Sequence, residues 1–122
     1  MMRTLGTPEV LFLPLVLGPS LLVRFSYDLL PTNREKAVAL IRREVDAAKA
    51  RGLKARLLVP LTRARGEAAL EYEVELPSLD VLDEYRTTAI GSREETQRWM
   101  REFSERLTQP PAVEILRLDE GS

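Results

Sequence analysis

The sequence predicts an α+β fold, a four-stranded sheet with helices packed against one face. Three observations carry this prediction. Four stretches show the period-2 alternation of apolar and polar residues that marks a half-buried strand. Between them, apolar residues recur every three or four positions behind helix-capping residues. The two kinds interleave as strand, helix, strand, strand, helix, strand, with Pro and Gly at the junctions. A chain of 122 residues, 44% hydrophobic and 30% charged, suits one domain with a proper core.

Residues 20–30, "SLLVRFSYDLL", form the first predicted strand. Leu21, Val23, Phe25, Tyr27 and Leu29 share one face, and Leu22, Arg24, Ser26 and Asp28 share the other. Pro31 ends it, and "TNRE" offers a capping box of Thr32 with Glu35. The helix that follows runs to about residue 51. Val38, Ile41, Val45 and Ala48 make its apolar stripe, widened by Ala37 and Leu40. Gly52 stands where a left-handed residue closes a helix, with Leu53 as its apolar partner. "KARLLVPLTR" is the second strand, marked as an edge by Pro60. "ARGE", with Gly66, is the hairpin turn.

"ALEYEVELP" is the third strand and alternates most cleanly. Ser78 caps a helix to about residue 89, with Leu82, Tyr85 and Ala89 inward, and Gly91 breaks it. "SREE" is a second capping box, of Ser92 with Glu95, before a helix aligning Thr96, Trp99, Phe103 and Leu107 beside Met100. "QPP" stops that helix, and residues 112–118, "AVEILRL", are the last strand.

This order is the split βαβ or ferredoxin-like arrangement. It predicts the spatial order 4-1-3-2, with strands one and three as a parallel central pair and the helices on one face. Val23, Phe25, Tyr72, Val74, Val113 and Ile115 are expected under the helices. Arg24, Ser26, Asp28, Glu71, Glu73, Glu75 and Glu114 are expected on the open face, with Leu22, Leu116 and Leu118 among them. The domain spans residues 20–120. Residues 1–19 are expected as an arm or extra edge strand. Their apolar run "VLFLPLVLG" resembles a signal-peptide core. It has one basic residue before it, also Glu9, and no small-x-small cleavage site. It is too short to span a bilayer.

Composition narrows the chemistry. The formal net charge is −1, so no overall field recruits nucleic acid or an anionic membrane. The chain has no Cys and no His. Disulfides, thiolate nucleophiles, His-based acid–base pairs, the usual zinc sites and His-ligated haem are therefore excluded. Carboxylates, Tyr, Lys and Arg remain. Arg makes up 15 of the 18 basic residues, which favours forked pairing with carboxylates.

The row Glu71, Glu73, Glu75 is the motif that most invites a function. Alternate residues on a strand stand about 6.6 Å apart, so these carboxylates repel unless cations lie between them. Arg24 is the expected cross-strand partner of Glu71 or Glu73. Such a charge ladder is the preferred reading over a metal site, which needs more converging oxygens, or a general base raised by burial. The same carboxylates oppose RNA binding on the open face, where stacking aromatics and cations are needed. The basic residues between 34 and 56 read as a solvated helix face, and "RARG" as a soluble hairpin tip. Trp99 reads first as core and second as a pocket wall.

Residues 20–120 resemble the dimeric α+β barrel superfamily, particularly NIPSNAP-like and antibiotic-biosynthesis-monooxygenase-like domains. Three stretches carry the resemblance: "LLVRFSYDL", "ALEYEVELPSLDVLDEYR", and "SREETQRWMREFSERL" leading into "AVEILRL". It implies a homodimer whose sheets pack face to face and enclose Arg24, Ser26, Asp28 and the glutamates. It implies chemistry without a metal or flavin cofactor. Haem-degrading relatives use a His, which this chain lacks. The monooxygenases use an Asn and Trp constellation, and the only Asn here is Asn33.

The leading reading is a homodimer that binds a small molecule between the sheets. Its candidate ligand residues are Arg24, Ser26, Asp28, Glu71, Glu73 and Trp99. The alternative is a cofactor-independent monooxygenase- or isomerase-like enzyme, with Glu71 or Glu73 as base and Arg24 as anion stabiliser. A second alternative is a structural oligomerisation module. All three expect a cytoplasmic protein with no cofactor, no metal, no nucleic-acid partner and no membrane contact.

Overall fold

The computed structural model describes residues 20–62 and 69–119. The arm at residues 1–19 and the turn at "ARGE" lie outside the described residues. The fold is ferredoxin-like. It comprises β1 (Leu21–Tyr27), a 3-10 turn (Pro31–Asn33), α1 (Arg34–Ala50), β2 (Ala55–Leu58), β3 (Leu70–Leu76), α2 (Leu79–Thr88), α3 (Arg93–Ser104) and β4 (Ala112–Arg117).

The sheet order is β2-β3-β1-β4, the order expected. The central pair is antiparallel, not parallel: β1 pairs β3 with Val23 opposite Val74 and Phe25 opposite Tyr72. The correction follows from the connections. The α1 crossover returns β2 in the direction of β1, and β3 runs antiparallel to β2, so β3 opposes β1. β4 and β2 are likewise antiparallel to their neighbours.

Several local signals act as read. Gly52 has φ 82, its amide bonds to Lys49 O at 2.9 Å, and Leu53 N reaches Ala48 O at 3.0 Å. These two bonds close α1 as a Schellman motif. Ser78 Oγ accepts from Val81 N at 3.3 Å. Ser92 and Glu95 form both halves of their capping box. Gly91 (φ 155) belongs to that box, because a Cβ there would lie 2.7 Å from Glu95 Oε1.

Other signals do not. The Thr32–Glu35 box does not form, since Pro31 opens a 3-10 turn and moves the helix entry to Arg34. Asn33 caps without its side chain, which donates instead to Arg106 O at 3.2 Å. β2 stops at Leu58, short of the predicted length, because Pro60 lacks an N–H and restrains Val59. Leu61 is therefore exposed.

The core lies between one face of the sheet and the helices. Val23, Leu70, Tyr72, Val74 and Leu76 meet Ala37, Ile41 and Ala48 of α1, Leu82 and Tyr85 of α2, and Trp99 and Phe103 of α3. Trp99 fastens α3 to α1 by donating Nε1–H to Leu40 O at 2.8 Å. Thr96 is buried and accepts from Ile90 N at 3.1 Å, which joins the two helices around Gly91. Val113 and Ile115 face the helix side, as expected, yet are 40% and 48% exposed. The helices crowd toward β2 and β3 and leave β4 uncovered. The gap beside β4 becomes the site described next.

Candidate functional site

Among the described residues two glutamates are buried, Glu73 on the open face of the sheet and Glu44 on the helix side. On the open face, strand register sets Arg56, Glu73, Arg24 and Glu114 in one row across all four strands. The signs alternate. Arg24 Nε donates to Glu73 Oε2 at 2.7 Å. Arg56 approaches the other oxygen, with Nε at 2.8 Å and Nη2 at 2.7 Å from Oε1. Arg24 also reaches Glu114 at 3.4 Å and Glu71 at 4.0 Å. Only 2% of the Glu73 side chain is exposed. Burial alone would push its pKa up, but the bonds from Arg24 and Arg56 outweigh it and hold the carboxyl below its usual range. Bonding to Glu73 correspondingly raises Arg24.

The other candidates of this face are spread out. Ser26 stands opposite Glu71 on β3 and Ala112 on β4, two pairs along from the charged row. Asp28 lies past β1 and accepts from Gln109 Nε2 at 3.3 Å. Glu75 borders a second depression, with Lys49 and Lys54. Trp99 is on the helix side of the sheet, so the six candidates do not gather at one point.

The second glutamate is Glu44, on α1. It is only 4% exposed and lines a cavity of about 230 Å³ on the helix side. Phe25, Tyr27, Tyr85, Trp99 and Phe103 supply rings to that cavity, and Val113 bounds it at the uncovered strand. Trp99 and Phe103 stack at 5.2 Å, and Tyr27 meets Phe103 edge-on at 4.7 Å. Tyr85 O–H donates to Glu44 Oε2 at 2.7 Å, and Tyr72 O–H lies 2.5 Å from Tyr85 Oη. The three side chains form one line, Tyr72 to Tyr85 to Glu44. The remaining oxygen, Oε1, is buried without a partner.

The electrostatics follow from this wall. Desolvation raises Glu44 to about 7, partly offset by the Tyr85 hydrogen bond. Burial first, and then the Glu44 charge, push Tyr27, Tyr72 and Tyr85 up, so all three remain neutral phenols. A buried carboxyl raised toward neutrality beside such a cavity is equipped to take or give a proton. It is also placed to pair with a donor on a bound molecule.

The sequence reading overlooked Glu44, although a signal existed. It lies three residues after Ile41 and four before Ala48, inside the apolar stripe of a helix. A lone charge at such a position needs a buried partner or a task. The glutamates of β3 drew attention first because they are consecutive on one face.

No family model matches the chain, and no curated protein matches it in sequence. Solved structures match its fold. A NIPSNAP family protein from Agrobacterium tumefaciens is 19% identical with a TM-score of 0.59, over 85% of this chain and 90% of that one. An antibiotic biosynthesis monooxygenase is 18% identical with a TM-score of 0.59, over 79% and 95%. A protein from Thermobifida fusca, described as dimeric, ferredoxin-like and of unknown function, is 14% identical with a TM-score of 0.59, over 83% and 92%. The likeness at these identities is one of fold, the one the sequence resemblance implied.

Proposed function

We propose that the protein binds a small, largely apolar molecule in the helix-side cavity, and that Glu44 exchanges a proton or a hydrogen bond with it. The observation that carries this reading is the unpartnered Oε1 of a buried carboxyl in an aromatic-walled cavity. The cavity suits a single ring with a short substituent. The charged row of the open face supports a structural role instead, since its cations and carboxylates already satisfy one another. The fold match to an antibiotic biosynthesis monooxygenase is in keeping with an enzymatic use of the site.

Trp99 gives the test. Ring-sized fragments bound in the cavity should change its fluorescence and the amide shifts of α3. The variants Glu44→Gln and Trp99→Phe should weaken that binding. Fragment shifts confined to β1 and β3 residues of the open face would overturn this reading in favour of a site between sheets.

A second proposal concerns assembly. Val113 and Ile115 on one face of β4 and Leu116 on the other are exposed, and the open sheet face is uncovered. A homodimer would cover them, in line with the dimeric Thermobifida fusca protein. Light scattering that returns the mass of one chain would remove it. We assign the protein to the cytoplasm, in keeping with a chain free of cysteine; among the described residues no helix is long and apolar enough to cross a membrane. Cell fractionation tests that assignment.

A further inference from the structure

The cavity also favours one chemical class of occupant, a conclusion that rests on the reading above. We propose that it takes an organic ammonium ion, with Glu44 Oε1 as counter-ion and the rings of Phe25, Tyr27, Trp99 and Phe103 around its apolar body.

The case begins with what Glu44 lacks. Its carboxyl is nearly as buried as that of Glu73, yet among the described residues its one hydrogen-bond partner is the neutral Tyr85 hydroxyl. Where a glutamate is buried elsewhere in this molecule, two guanidinium groups meet it. No arginine or lysine among the described residues pairs with Glu44. The charged and titratable groups nearest to it are Tyr27 from β1, Tyr72 from β3, and Tyr85 and Arg86 from α2. Of these, Arg86 lines the cavity but is exposed. Arg51, past the end of α1, lies 5.4 Å above the Tyr85 ring and donates to Thr88 O at 3.0 Å. A ligand N–H⁺ would supply both missing things, a donor for Oε1 and a compensating charge. An alcohol supplies only the donor. A carboxylate supplies neither.

The walls point the same way. The faces of aromatic rings carry negative potential and attract organic cations, more strongly where water is excluded. Trp99 is held by its bond to the Leu40 carbonyl and stacks on Phe103, which Tyr27 meets edge-on, so these rings are positioned before any ligand arrives. No bond needs to form or break; the interaction is an ion pair set among rings.

The test compares three probes of similar size at pH 8: 2-phenylethylammonium, 2-phenylethanol and 3-phenylpropanoate. Binding is followed by amide shifts and Trp99 fluorescence on the whole protein. The expected order is ammonium over alcohol by about tenfold, with the carboxylate weakest. Glu44→Gln should abolish the advantage of the ammonium over the alcohol. Equal affinity for ammonium and alcohol would overturn the assignment, and so would ammonium shifts mapping to Glu71 and its neighbours on the open face; alcohol binding in the cavity would then leave the broader reading standing. If none of the three shifts the cavity residues, that broader reading fails, and this one with it. The wild-type comparison decides the matter even if Glu44→Gln does not fold.

Discussion

Glu44 and Glu73 are a natural experiment within one small domain. Both are nearly inaccessible to solvent, at 4% and 2%. One is raised to about 7 and the other is held low. Burial is thus not what separates them. Glu73 belongs to a strand, where register delivers cations from both neighbouring strands at the right height. Glu44 belongs to a helix packed on aromatic rings, where among the described residues one phenol donates to it. Cross-strand geometry compensates charge; a helix–sheet interface built from rings does not.

The strongest way to break this comparison is the pH dependence of stability. The folded pKa of Glu44, about 7, lies above an unfolded value of about 4.3, so the native state holds more protons between them. Stability therefore falls as pH rises across that window, by on the order of 3 kcal/mol. Glu44→Gln should flatten the slope between pH 5 and pH 8 in urea titrations, and an unchanged slope would remove the raised carboxyl. Glu73 has the opposite sign. Its lowered pKa contributes stability that is present above about pH 4 and lost as pH falls further through the folded value.

Arg24→Ala comes next. It strips one of two cations from Glu73 and should cost about 2 kcal/mol, below the range for fully buried pairs because Arg24 is itself 31% exposed. A double-mutant cycle with Glu73→Gln isolates the pair; a coupling of zero contradicts the ladder. Tyr85→Phe should cost about 1.5 kcal/mol at pH 8 and less at pH 5, where Glu44 is protonated. It should also raise the Glu44 pKa further, measurable by carboxyl carbon NMR, because the Tyr85 bond is what lowers it. The smallest effect sharpens the contrast. Glu71 lies 4.0 Å from the same arginine at a partly exposed position, and Glu71→Gln should change the unfolding free energy read from urea titration by less than about 0.5 kcal/mol.

Much of the fold was legible because its signals are local. Alternation, Gly52, Ser78 and the Ser92–Glu95 box each specify the structure within a few residues. The pairing of Arg24 with Glu73 was also legible, since two adjacent strands with known faces leave few choices. The direction of the central pair is not carried by alternation within either strand; it depends on β3 reversing the direction of β2. Glu44 was missed for a deeper reason. Its environment is assembled from Tyr72 on β3 and Tyr85 on α2, which sequence spacing does not bring together. The exposure of Val113 and Ile115 was hidden similarly: alternation tells which face a residue takes, not whether a helix reaches far enough to cover it.

The strand order has a consequence for how this protein is made. Arg56 meets Glu73 across 17 positions, but Arg24 meets Glu73 across 49 and Glu114 across 90. β1 is translated before both of its neighbours, and the nearer of them follows only after α1 and β2. Closing the shorter loop first costs less entropy, so β2 and β3 should zip together early, β1 should dock onto β3 next, and β4 should arrive last. Pulse-labelled hydrogen exchange during refolding should find β4 amides protected after those of β3. Until β3 has emerged, Val23, Phe25 and Tyr27 stand unshielded on a strand with two bare edges. For a ribosome-bound chain, that interval is when a chaperone has most to offer.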